Sequence, residues 1–178
     1  MPQTGAMYHY MDEEQYQLAY EIACIGVTSS DWNYLGNKTL KKLKLEISAK
    51  AFSQTQNYRM LVLINDLMKM RNSGSSDDEL TAIIAAYEGD FDKMELHLRR
   101  ANKLELGVQI YTELRMFDRA RTCLNGQTGE TQQHLLREQA KWADTGLGDQ
   151  RAAAEMYLEA GESMKVQNQI DAKVKNKF

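Results

Sequence analysis

Apolar side chains recur along this chain with the spacing of helices. Tyr16, Ala19, Tyr20 and Ala23 fall at i, i+3, i+4 and i+7, which aligns them on one stripe of a helix with about 3.6 residues per turn. The same spacing returns at Leu61, Ile64 and Met68, then at Leu80, Ile83, Ile84 and Tyr87. It appears again at Gly107, Ile110, Tyr111 and Leu114, and at Ala153, Met156, Tyr157 and Ala160. No segment longer than a few residues alternates with period two. The breaks carry helix punctuation. Ser76 and Glu79 form a capping-box pair, Gly26 followed by Ser29, Ser30 and Asp31 reads as a stop and a fresh N-cap, and Asn72 to Ser76 is the most evident loop. About ten helices of roughly 9 to 16 residues, joined by short turns, predict antiparallel helix pairs.

The pairs repeat. Glu88-Gly89-Asp90-Phe91 and Leu147-Gly148-Asp149-Gln150 each join two stripes, and one shift of 59 residues carries Phe91 onto Gln150, Leu98 onto Tyr157 and Ala101 onto Ala160. A third copy, Arg115-Met116-Phe117-Asp118-Arg119-Ala120, lies between them. At Met94, Ala120 and Ala153 a small or flexible side chain lets neighbouring helices approach. Units of roughly 25 to 35 residues are in the range of tetratricopeptide-type repeats. The fold class expected is therefore all-α, an α-solenoid of antiparallel helix pairs (TPR-like repeats). It is expected as one domain over residues 1–178, with the clearest repeats in 80–165 and a lysine-rich tail at 166–178. Trp32-x-x-Leu35-Gly36 matches the opening of the tetratricopeptide consensus but continues with Thr39 where tyrosine is expected, so alone it is a weak signal.

Composition sharpens the reading. Among 178 residues there is a single proline, Pro2, which suits a chain of helix interiors. A content of 43% apolar and 26% charged residues predicts a folded core, and a net charge of −3 offers no whole-chain basic field for nucleic acid. No apolar run of about 18 residues predicts a membrane span, and the N-terminus has no signal-peptide pattern, so the cytosol is the expected compartment. Cys24 and Cys123 are expected as two small buried hydrophobes.

Candidate chemistry is sparse. Neither a G-x-G-x-x-G nor a P-loop pattern occurs, and His9, His97 and His134 are spaced from one another and from both cysteines in no zinc pattern. The pairs Asp77-Asp78 and Glu13-Glu14 suit helix starts, where negative charge complements the dipole. The serines from Ser73 to Ser76 suit linker and capping roles. No catalytic, cofactor-binding or metal-binding residue is expected, and no cofactor. Lys38, Lys41, Lys42, Lys44 and Lys50 sketch a basic face that could meet an acidic partner or a membrane surface, with a solvated helix face as the plainer expectation.

The segment Ala19-Tyr-Glu-Ile-Ala-Cys24-Ile-Gly-Val-Thr28-Ser-Ser-Asp31-Trp32 resembles the intraflagellar transport protein 122 homologs, the WD-repeat subunits of intraflagellar transport complex A. The likeness continues through Ala49 to Phe52, Tyr87 to Phe91, Ile110 to Phe117, Lys141 to Ala143 and Ala153 to Glu162, covering roughly residues 7 to 165 in order. The Ala19–Trp32 stretch is the specific part; the Gly-Asp-Phe pieces occur in many helical repeats. The resemblance implies part of the helical-repeat region that follows the propellers in such proteins. It implies a scaffold supporting retrograde ciliary transport and cilium assembly, located in the cytoplasm and at the axoneme and basal body of the cilium. Its implied partners are other complex A subunits and ciliary membrane-cargo adaptors. The propellers upstream and most of the solenoid downstream are not in this sequence. The family supplies no catalytic residues. A second class, a general adaptor gripping a peptide in a concave groove, would be favoured by Lys, Arg and Asn lining that groove. Apolar stripes uncovered at a solenoid end predict self-association, or a partner, near residues 150 to 170 or 8 to 25.

Overall fold

The structure, a computed structural model, describes residues 2–124 and 130–161. Those residues form eleven α-helices and one π-helical turn, with no strand among them. The helices are α1 (Pro2–Asp12), α2 (Tyr16–Ile25), α3 (Ser29–Lys41), α4 (Leu45–Gln54), α5 (Tyr58–Asn72) and α6 (Asp77–Glu88). They continue with α7 (Phe91–Arg100), α8 (Leu104–Glu113), α9 (Phe117–Cys123), α10 (Glu130–Trp142) and α11 (Gln150–Glu159), the π turn Ala143–Leu147 extending α10. The fold class is the expected one, an all-α solenoid of helix pairs. The lysine-rich tail lies outside the described residues.

One turn recurs throughout. Two residues before the first residue of α2, α4, α5, α7, α8, α9 and α11 the backbone is left-handed, at Glu14, Leu43, Gln56, Gly89, Asn102, Arg115 and Gly148, with φ between 53° and 81°. In six of these the next N–H reaches back five residues to a helix carbonyl, as from Lys44 to Thr39 (2.8 Å) and from Met116 to Tyr111 (2.8 Å). At the seventh, after the π turn, Asp149 N–H reaches back six, to Ala143 (2.9 Å). This closes the orphan carbonyls of one helix and aims the chain into the next. The aspartates of the two Gly-Asp turns then cap alike: Asp90 accepts from Lys93 N–H (3.2 Å) and Asp149 from Ala152 N–H (3.1 Å).

The chain forms two compact units, divided between His97 and Leu98 within α7. In the first, α1 pairs with α2 and α3 with α4, while α2 also meets α4, so successive pairs stack. One core cluster holds Met7, Met11, Ala19, Ala23, Trp32, Leu35 and Ala51. A second holds Leu40, Leu45, Phe52, Ile64, Leu67, Leu80 and Ile84. The weak Trp32-x-x-Leu35-Gly36 signal marks the tightest crossing of this unit. A Cβ at Gly36 would stand 2.8 Å from the Phe52 ring, Ser48 Oγ donates to the Gly36 carbonyl (2.9 Å), and Thr39 is fully buried, its hydroxyl donating to Leu35 O (2.7 Å). Where the consensus wants tyrosine, a small side chain turned onto its own helix keeps the approach close.

The starts of α3 and α6 are anchored by short polar side chains. Ser76 and Glu79 make the expected capping box on α6. The cap of α3 is Thr28, one residue before the serines expected there, because its hydroxyl reaches Asp31 N–H while Asp31 reaches back. Asp31 is buried and also accepts from Tyr8 OH (3.1 Å) and Thr4 Oγ1 (3.5 Å) on α1. Burial works against its charge, but the Thr28 backbone, the Thr28 hydroxyl, Tyr8 and Thr4 together hold its carboxyl below the usual range.

In the second unit α8 pairs with α9 and α10 with α11, and α8 also meets α10. Of the residues related by the 59-residue shift, Met94 and Ala153 are both buried and so are Leu98 and Tyr157, whereas Ala160 is buried and Ala101 only partly, and Phe91 is partly buried while Gln150 is exposed. Ala120 of the middle copy is fully buried too. The stripe expected to end at Leu114 ends earlier, since α8 stops at Glu113 and Leu114 is exposed; Val108 and Thr112 take the buried places beside Gly107 and Tyr111.

Candidate interaction surfaces

The lysines of the expected basic face are mostly exposed, as a solvated helix face would have them, and several are engaged within the first unit. Lys41 pairs with Glu88 (3.0 Å), Lys42 pairs with Glu14 and holds its carboxyl below the ordinary range, Lys50 lies over the Tyr20 ring (5.6 Å), and Lys38 is half-buried. Lys44 is exposed, and with Lys38 it adds to the field that Lys42 exerts on Glu14, so these three share one neighbourhood while Lys41 and Lys50 are engaged elsewhere. Cys24 is exposed and Cys123 buried, neither in a disulfide, which corrects the expectation of two buried cysteines: Cys24 lies one position past the buried stripe of α2. His9 is exposed beside Glu13 (3.4 Å), whereas His97 is partly buried with Nδ1 2.7 Å from Asp78. No group of three or more metal-ligating side chains occurs among the described residues. Glu13 and Glu14 occupy the turn before α2 rather than its first turn.

Large apolar side chains nevertheless reach solvent. In the first unit these include Ile25, Tyr58 and Val62, the last two one turn apart on α5; in the second they include Leu147 and Leu158. Among the described residues no helix is long and apolar enough to cross a membrane.

The second unit also has a cleft of about 830 Å³. One wall is α8, presenting Glu105, Gln109 and Glu113 at successive i+4 positions over a floor that includes Val108; the other is α10, presenting Gln133, His134 and Arg137. Most charges at its rim are already engaged. Arg115 lies over the Trp142 ring (5.2 Å), Lys141 pairs with Glu138 and holds that carboxyl below its usual range, and Arg137 has a partner of its own. Glu105 and Glu113 are exposed, with no cation in salt-bridge range among the described residues; Glu113 accepts from the Gln109 amide (3.2 Å). Sequence reasoning assigned no role here to any residue of this cleft, naming Arg115 only within a repeat turn and His134 only as outside a zinc pattern, because the pairing of α8 with α10 has no local signal.

Comparison with known proteins agrees with this architecture. Residues 3–175 match the family described as IFT122, TPR domain. Over 166 residues the chain is 38% identical to an intraflagellar transport protein 122 homolog of Danio rerio, 37% to that of Xenopus tropicalis and 34% to that of Homo sapiens. In each case 93% of this chain is covered, but only 13% to 14% of the relative, so the chain spans about a seventh of the proteins it matches. With helix pairs, turn geometry and a match spanning nearly its whole length in agreement, the chain belongs to the IFT122 TPR-domain family.

Proposed function

We propose that this chain serves as a protein-binding part of an intraflagellar transport complex A subunit, contributing to retrograde ciliary transport and cilium assembly by holding other proteins rather than by catalysis. The observation that carries this reading is the family match over residues 3–175, joined to a solenoid of paired helices. Stacked pairs offer continuous helix faces, and the exposed Tyr58, Val62 and Leu147 are the kind of anchors on which such contacts rest. The proposed partners are other complex A subunits and ciliary membrane-cargo adaptors, met in the cytoplasm, at the basal body and along the axoneme. The chain also self-associates through a solenoid end in this reading. Affinity purification from ciliated cells followed by mass spectrometry tests the partners: recovery of complex A subunits supports the scaffold, and chaperones or unrelated peptide ligands alone overturn it. Sedimentation tests the ends, where a well-folded monomer at high concentration would count against self-association.

A further inference from the structure

We draw no further inference here: the strongest candidate, the apolar stripe of Leu18, Ile22 and Ile25 along α2, reaches solvent at Leu18 and Ile25, and nothing in the structure shows what covers it.

Discussion

Where α3 meets α4, Gly36 gives up its side-chain space to the Phe52 ring, whereas where α10 meets α11 the approach is made by Ala140, Ala143 and Ala153 around Tyr157. The first crossing pairs the smallest residue with a large one; the second spreads small residues over both helices. At both crossings small residues make room for an aromatic ring, but they are placed differently, so close approach does not depend on one fixed position.

The comparison can be broken most forcefully at Phe52. Phe52→Ala empties the α3–α4 crossing and is expected to cost about 3–5 kcal/mol in denaturant unfolding. Hydrogen exchange read by mass spectrometry should lose protection in α3 to α6 while α10 and α11 change little; a loss below about 1 kcal/mol would show that the ring is not the centre of that crossing. At the other crossing the damaging change has the opposite sense. Ala153→Leu overfills a fully buried site and is expected to cost about 1–3 kcal/mol, with deprotection confined to α10 and α11.

A smaller effect should appear in acid. Asp31 has its folded-state carboxyl lowered, so its stabilising contribution is complete above the unfolded value of about 4 and disappears as pH falls through the lower folded value. Urea midpoints measured through that range should decline, and Asp31→Asn should remove that part of the slope. If both proteins declined in parallel, the link between α1 and α3 through Tyr8 and Thr4 would not be what titrates. The smallest effect concerns the turns. Gln56→Gly relieves a left-handed residue and is expected to stabilise by about 0.5–1 kcal/mol, the left-handed cost of about 1–2 kcal/mol less the added freedom of glycine when unfolded. Gly89→Ala should change stability by a similar amount in the other direction.

These turns also explain what the sequence did and did not disclose. The two Gly-Asp turns were legible, because glycine at the left-handed position and aspartate at the cap are both local preferences. Their sisters at Glu14, Leu43, Gln56, Asn102 and Arg115 use residues that ordinarily avoid this conformation. There the hydrogen bond back to the preceding helix, together with burial of Tyr16, Leu45 or Phe117 just beyond, outweighs the local cost, and no single-residue preference records it. The stripes of α2 and α11 were legible from period alone, while on α6 the period gave Leu80 and Ile84 but missed the buried Ala82 and Ala85. The pairing of Lys41 with Glu88 and of Lys42 with Glu14 was not legible, nor was the facing of α8 toward α10, since both depend on segments distant in sequence coming side by side.

The brevity of the connectors limits how the chain can be altered. Among the described connections Ser73–Ser76 is the longest, at four residues, and several others run a left-handed residue straight into a cap. An epitope or fluorescent tag spliced into one of those would push a whole rod out of phase with its neighbours. The Gly74 bend, exposed and bonded mainly to its own flanks, is the one place within the described helices where such a label should leave the rest undisturbed.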